Sequence, residues 1–477
     1  MPAPAEILKY IDEHQDAFID RLAKAVSIPS VSGDPARRKD VFAMADWLKA
    51  ELESLGATVE KRTLGKQMLD GVELDLPPAL LGQLGNDPKK KTVLIYGHFD
   101  VQPAEKSDGW LYDPFTLTKD PEGTGKLYGR GSSDDKGPIL GWLNVFQAHK
   151  ELGVELPVNI KMCFEGMEES GSEGLDELIE QEKDKFFKGV DCACISDNYW
   201  LNTTTPCLTY GLRGVNYFRI SVSGPSKDLH SGVFGAAVHE PMTDLVTLMS
   251  KLVTSKGEIL IPGIKEMVAP LTDEERARYE AIHAEVSDFD DAVGAAITLH
   301  DDKVNTLMGR MRYPSLSLHG IEGAFYGTGC KTVIPASVHG KFSIRLVPDM
   351  TTAKVTECVL KYVKEEFAKI DTKCKMSVEM VHGGEPWMAD PNHYNYRAAH
   401  KATEDVYGIS PDYTREGGSI PVTLSFADAL KINVLLLPMG RGDDGAHSMN
   451  EKLDTDNFIR GSKLLGSYLH ELGASSE

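Results

Sequence analysis

Apolar residues Ile7, Ile11, Phe18, Leu22 and Val26 recur at near-helical spacing, which predicts an opening helix that "SIPSVSGDP" then breaks. Short β-prone runs follow, "TVLIY" (92–96), "VNIKMCF" (158–164) and "CACIS" (192–196), separated by helix-compatible stretches such as "PILGWLNVFQAHKEL". Apolar runs alternating with helices predict an α/β fold with a mostly parallel sheet. The pattern changes after Tyr210. "VNYFRISVSG", "EPMTDLVTLMSKLV", "PSLSLHGIEG", "VHGKFSIRLV", "AKVTECVLKYVKEEFAKI" and "KMSVEMVHG" give the order βαββαβ, that of a ferredoxin-like α+β domain. A charged insertion at about 257–305 interrupts it and is expected to be helical surface. Beyond "GGEPWMADPNH" the first pattern resumes, with "NVLLLPMG" (433–440) as a buried strand and "NFIRGSKLLGSYLHEL" as a closing helix. A larger domain of 1–212 and 389–477, carrying an inserted smaller one of 213–388, is therefore expected.

Composition fits two domains, since 477 residues with 41% hydrophobic content exceed what one core usually supports. A formal charge of −21 argues against nucleic acid and against anionic membrane surfaces, and the one basic run, Lys89 to Lys91, is short. Many carboxylates do suit hard or borderline cations. The N-terminal segment carries early acids and no uninterrupted apolar stretch, so no secretory signal is expected, and no run approaches a membrane span. Seven cysteines, an odd number without CxxC spacing, predict free thiols in a reducing cytosol.

Candidate chemistry gathers where the apolar runs end. His98 and Asp100 lie in "YGHFD", Glu168 and Glu169 in "FEGMEESGSEG", Asp197 in "SDN" and His447 in "GRGDDGAHS". The carboxyl edge of a parallel sheet is where such folds bind ligands, because helices cover both faces. Asp134, in the turn "GRGSSDDKGP" before a helix, is a fifth candidate. Singly these are weak, since a histidine after a strand is more often structural and an Asp in a Gly-rich turn more often caps a helix. Together they would repel unless cations neutralised them, and nitrogen and oxygen donors without thiolate suit zinc or manganese in a hydrolytic site. Two positions from His98 on an extended segment, Asp100 can accept its other ring N–H. Which of Glu168 and Glu169 ligates and which acts as base stays open at this level.

Other motifs fall away. "GAFYGTGCKT" has Cys330 where a phosphate loop needs glycine, no HExxH occurs, and Ser132 and Ser133 lack a GxSxG setting.

"YGHFDVQP", "GRGSSDDKGP", "FEGMEESGSEG", "SDNYWL" and "GAHSMNE", in this order along nearly the whole chain, resemble the signatures of the aminoacylase and carboxypeptidase type of di-metal peptidase. "KDLHSGVFG" and "KTVIP" are similar to its dipeptidase branch. The resemblance implies two divalent ions per subunit, Mn2+ or Zn2+. His98, Asp134 and Asp197 would hold one; Asp134, Glu169 and His447 would hold the other. Glu168 would be the general base, acting on a water between the ions, with Asp100 orienting His98. In the smaller, lid and dimerisation domain, His230, Thr332 and Arg345, with Ser419, would contact substrate. The implied partners are dipeptides and a second copy of the chain, whose His230 reaches the neighbouring site. An N-acyl amino acid deacylase, a carboxypeptidase or a non-catalytic metal-dependent binding protein are the alternatives, although every catalytic position is filled.

Overall fold

The computed structural model describes residues 2–69, 71–418 and 420–475. Its chain forms two compact units, one of Met1–Tyr210, Ala389–Thr414 and Val422–Glu477, the other of Gly211–Met388 and Arg415–Pro421.

Four neighbouring parallel strands make the centre of the first unit, in the order Asn159–Glu165, Thr92–His98, Cys192–Ile195 and Asn433–Leu436. Antiparallel strands extend it, Ala79–Leu84 and Thr58–Arg62 on one side and Cys207–Leu212 on the other. Helices cover both faces, which is why the central strands read as apolar runs rather than as alternation. The core joins Val93, Ile95, Ile160 and Met162 of the sheet to Leu48, Trp142, Phe146, Tyr396, Leu465 and Tyr468 of the helices. Helix Lys136–Leu152 is buried on almost every side and begins two residues after Asp134.

The opening helix is two helices, Ala5–Glu13 and Gln15–Val26. His14 stacks on Tyr10 and its Nδ1 donates to the Tyr10 carbonyl at 2.8 Å. That side chain competes with the helical ladder for the same acceptor and turns the backbone at the junction.

The second unit is a four-stranded antiparallel sheet in the order Ser315–Glu322, Ser337–Leu346, Gly214–Ser223 and Lys375–Gly384. Helices Pro241–Met249 and Thr352–Ala368 complete the βαββαβ order. Strand Gly214–Ser223 alternates between more and less buried positions, with Phe218, Ile220 and Val222 meeting Leu245, Leu248, Val355 and Val359. The charged insertion differs from the expected surface helix. It holds two short helices, Asp273–Ala281 and Val286–Val293, runs into a third, Lys303–Met311, and buries Ile261, Ile264, Tyr279 and Ile282. Its Glu275 pairs with Arg312 at 3.0 Å and with Arg415 at 2.7 Å, which ties segment 415–421 to this unit.

All seven cysteines are free, with Cys163, Cys192, Cys194, Cys207 and Cys374 buried and Cys330 exposed. Among the described residues no helix is long and apolar enough to cross a membrane.

Candidate metal centre

His98 closes strand Thr92–His98, and Asp197 follows Cys192–Ile195 by two residues. Asp134 precedes the buried helix, and His447 sits in the loop beyond Asn433–Leu436 with a left-handed φ of 59°. Parallel neighbours end at one edge, so these residues meet.

Asp134 occupies the middle. Its Oδ1 lies 3.0 Å from His98 Nε2, and its Oδ2 lies 3.2 Å from His447 Nε2. Asp197 Oδ1 approaches the same His98 nitrogen at 3.5 Å, and Glu169 Oε2 approaches the same His447 nitrogen at 3.1 Å. Two donor groups thus share one carboxylate, His98 with Asp197 on one side and His447 with Glu169 on the other. The first is deeply buried, whereas the His447 side chain is 59% exposed. Glu168 Oε2 stands 4.0 Å from His98 Nε2.

Glu168 and Glu169 do not lie on an extended segment. The strand ends at Glu165, and Glu168–Ser170 is a 3-10 turn. Successive residues of such a turn still diverge by about a third of a revolution, so the two carboxylates face different histidines. Asp100 holds the turn as well as the imidazole. One oxygen lies 3.4 Å from His98 Nδ1, and the two oxygens accept the backbone N–H groups of Glu168 and Glu169 at 3.2 and 3.1 Å. The Asp100 carbonyl also accepts from His98 Nδ1 at 3.1 Å, which leaves Nε2 turned to Asp134.

Charge is concentrated here. Burial works against a proton on His98, yet Asp197, Asp100 and Asp134 raise its pKa well above the ordinary value. Hydrogen bonds with Asp134 and Glu169 push His447 up to about 10. Burial lifts Glu168 well above the carboxylate range and Asp197 to about 6. Despite its burial, Asp134 is held low by the two imidazoles. Carboxylates packed this closely require compensating positive charge, which imidazolium protons or divalent cations supply. Imidazole nitrogens and carboxylate oxygens, with no thiolate among them, fit zinc or manganese.

Sequence reasoning passed over several residues that hold this arrangement. Asp135 Oδ2 accepts the His98 backbone N–H at 3.2 Å. The glycine of "YGHFD" makes room for it, since a Cβ on Gly97 would lie 2.7 Å from that oxygen. Gln102 donates to Glu169 Oε2 at 2.7 Å. Glu165, pushed up to about 7 by burial and by Asp100, accepts from Tyr96 and from Ser172, both at 2.7 Å, and so closes the loop that carries Glu168 and Glu169.

The second unit brings His230 and Thr332 together. His230 pairs with Val333 across a two-residue ladder, and Ser231 N–H donates to the Thr332 carbonyl. Gly232 N–H donates to His230 Nδ1, which leaves Nε2 as the outward nitrogen. Arg345 lies on the four-stranded sheet instead, opposite Val215 and Ser315. Ser419 lies outside the described residues.

The sequence pattern described as peptidase family M20/M25/M40 matches residues 94–471. The chain belongs to this family. As an M20-family peptidase it is a peptide-bond hydrolase that uses divalent metal ions. It is 58% identical to the Cys-Gly metallodipeptidase of Schizosaccharomyces pombe over 99% of this chain and 98% of that one. It is 47% identical to human Beta-Ala-His dipeptidase over 99% of this chain and 94% of the relative. A di-peptidase of Saccharomyces cerevisiae with a solved structure, 52% identical, superimposes with a TM-score of 0.89 over 99% of each chain.

The separation of the two glutamates has a direct test. Glu168→Gln should retain the metal content of the wild type and lower kcat by about 10²- to 10⁴-fold, the span of a lost general base. Glu169→Ala should lose metal, read by elemental analysis after gel filtration. Equal metal loss in both variants would contradict the division.

Proposed function

We propose that the protein is a broad-specificity dipeptidase of the cytosol, acting on Cys-Gly and similar dipeptides with two divalent cations, Mn2+ or Zn2+, per subunit. The observation that carries this reading is the split of Asp134, one oxygen toward His98 and the other toward His447. His98, Asp134 and Asp197 would hold one cation, and Asp134, Glu169 and His447 the other. The names of two similar proteins, a Cys-Gly metallodipeptidase and a Beta-Ala-His dipeptidase, favour dipeptides as the substrate class. Seven free thiols favour a reducing compartment.

Held by these side chains, divalent cations would supply Lewis acidity, lowering the pKa of a water and polarising the scissile carbonyl. Glu168 takes the water proton on its carboxylate as the oxygen adds to the carbonyl carbon. It returns that proton to the amide nitrogen as the C–N bond breaks, releasing an acid and an amine. Asp100 keeps the His98 ring oriented and the Glu168 backbone fixed, so the base does not reorganise during the reaction.

In the second unit, Arg345 is assigned to the substrate carboxylate, together with Thr332 and Ser419. Its guanidinium is half-buried, and no hydrogen bond or ion pair engages it among the described residues. Burial and the charge of Arg345 lower Arg213 to about 10, so two guanidiniums share a region that an anion would relieve. His230 is assigned to the developing oxyanion of the neighbouring subunit of a homodimer. Support comes from exposed apolar side chains close to it in sequence, Val233, Phe234 and Val238, of the kind that subunit contacts cover.

Chelator-stripped protein should not cleave Cys-Gly, should regain activity with Mn2+ or Zn2+, and should leave an N-acetyl amino acid intact. Rescue on the acyl compound alone would make the protein a deacylase, and no rescue on either would remove the catalytic reading. Mixing Glu168→Gln with His230→Ala subunits should restore about a quarter of wild-type activity, because half the dimers are mixed and each has one complete site. A mixture as inactive as its parents would place His230 in its own subunit's site.

A further inference from the structure

Four residues beyond His447, Glu451 is fully buried and is assigned no role by the ligand set. Its Oε1 accepts the backbone N–H groups of Ser133 and Asp134 at 2.9 and 3.0 Å. Its Oε2 accepts Gly131 N–H at 2.9 Å and Arg130 Nη1 at 2.8 Å. Three of these four donors are backbone groups of the turn "GRGSSDD", so the carboxylate fixes the backbone of that turn as well as pairing with buried Arg130. Gly131, at a φ of 81°, gives the turn the curvature that aims its N–H groups at one anion.

The same turn is fastened to the His447 loop at further points. Arg130 Nη2 donates to the carbonyl of Ser448, the residue after His447, at 3.1 Å. Gly129 N–H donates to the Glu451 carbonyl at 3.0 Å. Ser133 Oγ donates to Asp444 at 2.6 Å. One end of this connection bears Asp134 and the other bears His447, whose imidazole is more than half exposed and has a left-handed backbone. Asp134 has His98 and the start of a buried helix to hold it, whereas the loop around His447 is held by these bonds together with Leu111 N–H donating to Asn450 Oδ1 at 2.7 Å and the pairing of Lys452 with Tyr128.

We propose that Glu451 is a positioning residue that sets the span between Asp134 and His447, and so governs the affinity of the solvent-side cation without touching it. The inference rests on the two-cation assignment above. Glutamine at this position would keep the shape but replace one oxygen by an NH2 group, setting donor against donor in a buried pocket.

The experiment is titration of the metal-free full-length protein with Co2+, followed by calorimetry and by the visible spectrum of the bound ion. Wild type should take up two equivalents. Glu451→Gln should bind the first within about threefold of wild type and the second at least about tenfold more weakly, the size of effect seen when a hydrogen-bonded support of a metal ligand is lost. Its second-equivalent spectrum should change as well. If the variant does not fold because Arg130 is left unpaired, Arg130→Met/Glu451→Gln removes both charges and should show the same selective loss. Wild-type affinity for the second equivalent in the folded variant, whatever its thermal stability, would overturn the inference. An equal loss of both equivalents would also overturn it, making Glu451 a general support. Uptake of only one equivalent by wild type would overturn the two-cation assignment itself, and this inference with it.

Discussion

One carboxylate answering two imidazoles is the contact on which the rest of the site depends. Asp134 lies at 3.0 Å from His98 and 3.2 Å from His447, and each of those nitrogens has a second carboxylate oxygen within 3.5 Å. An isolated cluster of this kind would fly apart, since carboxylates at such separations repel strongly wherever water is excluded. It persists because the chain leaves its members little freedom and because positive charge is shared among them.

The parallel sheet supplies the first condition. Four adjacent strands running in one direction deliver their ends to one edge, and helices on both faces lock those ends in depth. Backbone hydrogen bonds supply the rest. Asp100 takes the N–H groups of Glu168 and Glu169, and Asp135 takes that of His98. Carboxylates thus fix the loops that present other carboxylates, which keeps the ligand oxygens clear for cations. A site built on rigid elements in this way needs little reorganisation as the reaction proceeds.

Much of this was legible from residue order alone. The central strands announced themselves as apolar runs because both faces of the sheet are covered, and His98, Asp197 and His447 followed them as predicted ligands. The run at Gly214–Ser223 was likewise legible as the first strand of the βαββαβ order. Other features depended on three-dimensional detail that periodicity does not carry. The break at His14 comes from a side chain competing for one carbonyl, and an apolar spacing of helical period continues straight through it. The turn at Glu168–Ser170 follows from loop closure through Glu165 and Ser172, which no local pattern encodes. Asp135 and Gln102 act through a backbone group or through another ligand, so their residue types looked like ordinary turn and loop chemistry. The charged insertion read as surface because its buried Ile264 and Tyr279 are outnumbered by acids that face solvent or pair with arginine.

The central claim, that one carboxylate joins two cation sites, is tested most directly by anomalous diffraction from crystals of the Mn2+-loaded protein. The account predicts two peaks roughly 3.5 to 4 Å apart, with the Asp134 carboxylate between them, as in two-metal hydrolytic sites. A single peak, or two peaks of which only one lies against Asp134, would contradict it.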